Sequence, residues 1–365
     1  SSTSTRQTRA PTAPGPGDLA DPADGVYEIG GEAFRPGERL RLTLPVGRLH
    51  TLTPVDMSGV VIRGRRPGPS LFVTAAVHGD ELNGIEIIRR LSSMAGLKRL
   101  RGTLVLVPVV NVFGVLNHSR YLPDRRDLNR SFPGSERGSL AARLAHLVAS
   151  EIIGGSTHGI DLHTGAIHRS NLPQIRGAMD DERIRHMARA FGVPAILDSS
   201  PREGSLRAAA MAEGIPTVVY EAGEALRFDE MAIRVGVKGI INVMRSIGML
   251  AARAGASKPR REPVIARSST WIRAQAGGIL RSTLQLGALV EPGDRLGTIS
   301  DPLGDADVHV VAADKGVVIG ISSLPLVNEG DALIHIARFA APERVADAVE
   351  ALERDTFDSG PREPA

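Results

Sequence analysis

Two kinds of hydrophobic pattern divide the chain. Between about residues 37 and 63, segments such as RLRLTLPV and SGVVIRG alternate apolar and polar positions, the period-two pattern of half-buried antiparallel strands. From about 69 to 250, short apolar runs alternate with segments of helical spacing, which predicts an α/β unit. LFVTAAV (71–77), TLVLVPVV (103–110), GIDLH (159–163) and TVVYEAG (217–223) read as buried strands. Leu82, Ile85, Ile88 and Leu91 place one face of a helix after the first of these. Leu140, Leu144, Leu147, Val148 and Ile152 define another helix, stopped at Gly154-Gly155. Further helices are predicted over 182–191 (closed by Gly192), over 205–213 (ended by Gly214 and Pro216), and from about 230 to 250.

The ends follow other rules. Residues 1–24, rich in Ser, Thr, Ala, Pro and Gly, are expected to be a disordered tail. Residues 25–253 form the main α/β domain, with 25–63 as its opening strands, and AGASKPRREP (254–263) is a Pro- and charge-rich linker. Short strands with Gly-Asp turns then recur through ALVEPGDRLGTI, HVVAADKGVVIG and LVNEGDALIHI, predicting a small all-β domain over 264–340. Residues 341–365 read as a helix and tail.

Composition removes several function classes. At 42% hydrophobic and 23% charged, the 365 residues look like an ordinary globular protein. No run approaches the ~18 consecutive apolar residues of a membrane span. The N-terminus shows no apolar signal region, so a cytoplasmic location is expected. A net charge of +3, 3% aromatics and no basic stripe argue against a nucleic-acid partner. Only four of the 44 basic residues are lysine, a bias that reads as compositional rather than as anion recognition. With no cysteine, any metal must be held through nitrogen and oxygen.

His78 and Glu81 lie three residues apart at the end of the strongest buried strand, where a turn would set both on one face. His163 ends the strand GIDLH, and the carboxyl ends of strands converge on the crevice of an α/β sheet. A His-x-x-Glu pair alone is common by chance; the second strand-end histidine makes the set a candidate metal site.

At AAVHGDELNG (75–84), DLNRSFPG (127–134), DLHTG (161–165) and VVYEAGE (218–224), in this order, the chain resembles the succinylglutamate desuccinylase/aspartoacylase family, a branch of the zinc-carboxypeptidase-like proteins. The resemblance spans about residues 50 to 340. It implies a mixed-sheet α/β/α catalytic domain, one zinc ion, and hydrolysis of a small-molecule N-acyl amino acid or related amide. It matches His78, Glu81 and His163 to the zinc ligands, Glu221 to the catalytic carboxylate, and Asn129 with Arg130 to the pair that grips the substrate's carboxylate. For the arginine that polarises the scissile carbonyl it offers Arg120 first and Arg126 second. The C-terminal β region resembles a biotinyl/lipoyl-type hammerhead, in which Lys315 falls at a plain turn rather than at a modified lysine.

The chemistry of these residue types agrees. Zinc lowers the pKa of bound water and polarises a carbonyl, and a carboxylate beside that water can move its proton. An arginine fork fits a carboxylate. Asp161 could orient His163, although a packing role is equally compatible with its place. Arg207, at a helix start, could meet a second substrate anion or serve in a surface ion pair. His118 and His168 read as rim or structural residues. Two other functions share the pattern: a metallocarboxypeptidase acting on peptides, and a metal-dead binding or assembly module. The resemblance leaves a homo-oligomer open.

Overall fold

A computed structural model describes residues 26–252 and 263–358. The predicted tail 1–24 and nearly all of the predicted linker 254–263 lie outside the described residues. The framework is a twelve-stranded mixed sheet. At its centre, Thr217–Glu224, His158–Gly165, Arg66–Ala75 and Arg101–Val107 run parallel in that spatial order. The predicted antiparallel strands follow at one side, Pro54–Arg63 and then Arg39–Arg48.

These central strands are apolar runs because both of their faces are covered. Leu71, Val73 and Ala75 enter one core with Ile87, Ile88 and Leu91 of the helix Asn83–Ser92, and with residues of the helices Glu182–Phe191 and Glu230–Ser246. Phe72, between them in sequence, enters the opposite core with Leu144 and Val148 of the helix Leu140–Val148 and Ala210 of Leu206–Ala212. The result is the expected α/β/α layering. Each such Leu or Phe contributes roughly 1.5–3 kcal/mol by leaving water.

The phase of the first helix differs from the sequence reading. Asn83, Gly84, Ile87, Ile88 and Leu91 are its buried residues, while Leu82 and Ile85 are half-buried. Gly84 explains the rotation: a Cβ there would sit 2.6 Å from Ala75 Cβ and 2.9 Å from Leu162 Cβ, so the helix backbone lies directly on the strands.

The strand Arg169–Gly177, absent from the sequence reading, runs antiparallel beside Thr217–Glu224 and parallel to Ala195–Asp198. The C-terminal all-β region then continues the same sheet. Val264–Arg273 pairs in parallel with Ala195–Asp198 and antiparallel with Ala332–Phe339. Gly316–Ser322 pairs with Ala332–Phe339 and also with Arg169–Gly177. A cluster containing Leu172, Leu197, Val317, Ile319, Phe339 and Val349 of the helix Pro342–Asp358 fills this seam. A separate four-stranded sheet completes the region. No helix among the described residues is long and apolar enough to cross a membrane.

Candidate metal centre and active site

Three parallel strands bring the candidate residues to one edge. Register sets Glu221 opposite His163 and Thr74 opposite Asp161, and His78 follows just beyond the end of Arg66–Ala75. In a parallel sheet neighbouring strands lie ~4.8 Å apart, so side chains at their carboxyl ends share one crevice.

His78, Glu81 and His163 are all buried, and their donor atoms lie within 4.8 Å of one another. Glu81 faces both imidazoles: Oε1 is 2.7 Å from His78 Nδ1, and Oε2 is 2.8 Å from His163 Nδ1. The far nitrogens are held by other carboxylates. His163 Nε2 lies 2.7 Å from Asp161 Oδ2, and His78 Nε2 lies 3.2 Å from Asp127 Oδ1. Thr74 Oγ1 donates to the other oxygen of Asp161 at 2.8 Å. Each imidazole thus turns Nδ1 toward a common centre while Nε2 is fixed from behind, the support that metal-binding histidines use.

Electrostatics fit a cation in this place. Burial would push the Glu81 carboxyl up, but His78 and His163 hold it well below the ordinary carboxylate range. Burial would push the His163 imidazole down, yet Asp161 and Glu81 raise it well above its usual value. His78 is raised in the same way by Glu81 and Asp127, against its burial. The pocket therefore favours positive charge. Two nitrogens and a carboxylate, with no cysteine in the chain to offer a thiolate, make a donor set suited to a divalent ion.

The cleft above this group has a volume of about 510 Å³. Arg120 lines it, donating to Glu81 Oε1 at 3.3 Å and Asp127 Oδ2 at 3.0 Å. Arg126 does not line the cleft: its side chain is 63% exposed and lies 3.8 Å from Asp124. Asn129 and Arg130 do line it. Asn129 Oδ1 accepts from the Leu206 backbone N–H at 2.9 Å, while exposed Arg130 donates to the Asn129 carbonyl at 2.5 Å.

Arg207 is buried and lines the cleft, donating to Ser199 Oγ and the Ser200 carbonyl, with no carboxylate within 4.0 Å among the described residues. Burial and the neighbouring Arg176 guanidinium push it down to about 10, so it stays charged at neutral pH. His118 and His168 are exposed and outside the cleft. Lys315 lies 2.7 Å from both Glu291 and Glu343, far in sequence from these motifs.

Glu221 lines the cleft with its side chain 21% exposed. Asn171 Nδ2 donates to Oε2 at 2.8 Å, and Arg176 Nε lies 3.3 Å from Oε1. Neither partner was singled out from sequence, nor was Asp127 behind His78. Asp127 sits inside the quoted DLNR motif, but the other two lie on the unpredicted strand Arg169–Gly177. Ser269, Trp271 and His335 line the cleft from the C-terminal region.

A mixed-sheet α/β fold whose parallel strands end in a buried His–Glu–His group, beneath an arginine-rich cleft, defines an α/β protein with a site that could hold a metal ion. Residues 67–247 match the succinylglutamate desuccinylase/aspartoacylase catalytic domain. The chain is 26% identical over 307 residues to the N-alpha-acetyl-L-2,4-diaminobutyric acid deacetylase of Halomonas elongata, a match covering 81% of this chain and 90% of that protein. It is 30% identical over 149 residues to a succinylglutamate desuccinylase of Pseudomonas aeruginosa, spanning 38% of this chain and 44% of the relative.

A succinylglutamate desuccinylase/aspartoacylase structure from Rhodobacter sphaeroides superposes with a TM-score of 0.73 at 26% identity, over 84% of this chain and 97% of that one. The ectoine utilization protein EutE (DoeB) of Ruegeria pomeroyi, at 23% identity and a TM-score of 0.74, shares the fold over 83% and 96% of the two chains. The chain belongs to the succinylglutamate desuccinylase/aspartoacylase family.

Proposed function

We propose that the chain is a zinc-dependent amide hydrolase that removes the acyl group from a small N-acyl amino acid. The observation that carries this reading is the convergence of His78, Glu81 and His163 in one cleft with Glu221 and a set of arginines. Family membership makes it a deacylase, acting on a C–N bond other than a peptide bond. The Halomonas elongata relative supports an N-acetyl diamino acid as the first substrate to try, and the Pseudomonas aeruginosa relative an N-succinyl one.

Zinc held by His78, Glu81 and His163 would supply Lewis acidity, bringing water's pKa toward neutrality and polarising the amide carbonyl. The chain's own residues do the rest. Glu221 takes a proton from the attacking water and returns it to the nitrogen as the C–N bond breaks, which makes the amine a workable leaving group. Arg120, anchored by Asp127, presents positive charge where the carbonyl oxygen becomes negative. Asn129, Arg130 and buried Arg207 bind the substrate's carboxylate groups, Arg207 with little reorganisation because the serines at 199 and 200 already hold it. Asp161 and Asp127 keep the two imidazoles turned toward the metal.

The test is a hydrolysis screen of zinc-loaded protein against N-acetyl, N-succinyl and N-formyl amino acids, with C-terminally free peptides alongside. Release of free amine from an acyl amino acid, with peptides untouched, supports the deacylase. Cleavage of peptides alone would assign the site to a metallocarboxypeptidase instead.

A further inference from the structure

The C-terminal region reaches the reacting groups through a row of side chains that crosses the sheet. In the strand register Trp271 lies opposite His335, His335 opposite Gly320, and Gly320 opposite Asn171. The Trp271 and His335 rings stack at 4.6 Å and 12°. Asn171, 7% exposed, ends the row and donates Nδ2–H to Glu221 Oε2 at 2.8 Å. Arg176 Nε, at 3.3 Å from the other oxygen, makes no directed hydrogen bond there, so Asn171 is what fixes the carboxylate's rotation.

Gly320 is what lets the row close. A Cβ at this position would lie 3.1 Å from Asn171 Oδ1 and 3.1 Å from His335 Cβ, closer than ordinary van der Waals contact. A side chain at 320 would push Asn171 or His335 aside by a few tenths of an ångström, so glycine lets Asn171 sit against the C-terminal strand with its amide on Glu221.

We propose that Asn171 is a positioning residue for Glu221, and that the strand Gly316–Ser322 holds it in place. The C-terminal region is thereby part of the active site and not an appendage. This rests on the reading of Glu221 as the proton-transfer group. A carboxylate that must accept a proton and then return it needs a fixed direction. An amide N–H on one oxygen supplies that direction without adding charge.

The experiment measures kcat, KM, thermal midpoint and a crystal structure for full-length zinc-loaded wild type, Asn171→Ala, Asn171→Asp, Gly320→Ala, Glu221→Gln and the double variant Asn171→Ala with Glu221→Gln. The probe is N-α-acetyl-2,4-diaminobutyrate or, should it prove inert, the acyl amino acid hydrolysed fastest in the screen. Asn171→Ala is expected to lower kcat by about 10- to 100-fold with KM little changed. Asn171→Asp keeps the shape but sets a carboxylate against Glu221. It is expected to lose as much kcat, to melt near the wild type, and to show the Glu221 carboxylate displaced. Gly320→Ala should lower kcat in the same direction although Asn171 is intact. In the Glu221→Gln background, Asn171→Ala should cost nothing further, because it acts through Glu221.

Wild-type kcat in Asn171→Asp, or an unmoved Glu221 in its structure, overturns the proposal. So does a loss in Asn171→Ala that follows its thermal midpoint alone. Wild-type kcat in Gly320→Ala removes the C-terminal strand from it. Wild-type kcat in Glu221→Gln instead overturns the reading of Glu221 itself, an outcome distinct from failure at Asn171.

Discussion

Replacing Asp161 with Asn should weaken zinc binding without dismantling the fold. Asp161 is 1% exposed, one of its oxygens lies 2.7 Å from His163 Nε2, and Thr74 fixes the other at 2.8 Å. The contact is therefore a dry, charge-assisted hydrogen bond that sets which nitrogen of His163 faces the metal. Outer-shell partners of this kind change metal affinity by ~10- to 100-fold when removed. Each tenfold step is about 1.4 kcal/mol, so the expected loss is roughly 1.4–2.8 kcal/mol. Asparagine keeps the shape and can still accept from the imidazole, which isolates the charge from a cavity effect. The matching contact at His78 is longer, 3.2 Å, and Asp127 is 17% exposed, so Asp127→Asn should fall at the lower end of the range. The assay is competition with a chromophoric chelator, giving a zinc Kd for wild type and both variants, with thermal midpoints as the fold control. A Kd for Asp161→Asn within twofold of wild type, with the fold intact, would refute the assignment of Asp161 as the support of a metal-binding imidazole.

Glu221→Gln should lower kcat by about 10²- to 10⁴-fold, with zinc content unchanged, since its contacts are Asn171 and Arg176 and not the metal group; loss of zinc in this variant would speak against a proton-transfer role. Arg120→Ala should cost about 10²-fold or more in kcat, whereas Arg126→Ala should stay within about twofold of wild type, as surface substitutions do; steady-state kinetics on the two variants decides between the arginines. On the far side of the first helix, Arg89 and Arg90 hold the Glu86 carboxyl down to about 2, with burial opposing them. A carboxyl depressed from 4.5 stabilises the fold fully above pH 4.5 and loses that contribution as pH falls through about 2. Urea midpoints across that window should therefore fall less steeply for Glu86→Gln than for wild type, by an increment on the order of 1 kcal/mol or less; parallel curves would show the pairs contribute nothing.

The parallel strands and the metal group were legible because their signals are local. LFVTAAV and TVVYEAG are apolar runs that only a doubly covered strand requires, and His78, Glu81, His163 and Glu221 sit at or just past strand ends. The first helix was legible in kind but not in phase, because the side that touches the sheet is chosen by Gly84 and the close approach it permits. The strand Arg169–Gly177 was not legible. RSNLPQIRG has neither alternation nor an apolar run, and its pairing partners lie far along the chain. Asn171 and Arg176 were hidden with it. The pairing of Val264–Ala266 with Ala195–Leu197, and of Gly320 with Asn171, likewise leaves no mark in any short window of sequence. Such contacts become visible only when distant segments are brought together. Asp127 was in view within a quoted motif, but its role behind His78 depends on a turn that no spacing rule reports.

The most direct test strips the protein with a chelator and follows hydrolysis of an N-acyl amino acid as zinc is added back in measured equivalents. Activity should return in proportion to zinc and level off at one ion per chain. The same titration of His163→Ala should remain flat. Undiminished hydrolysis in the stripped enzyme, or wild-type recovery in His163→Ala, would contradict the account at its centre.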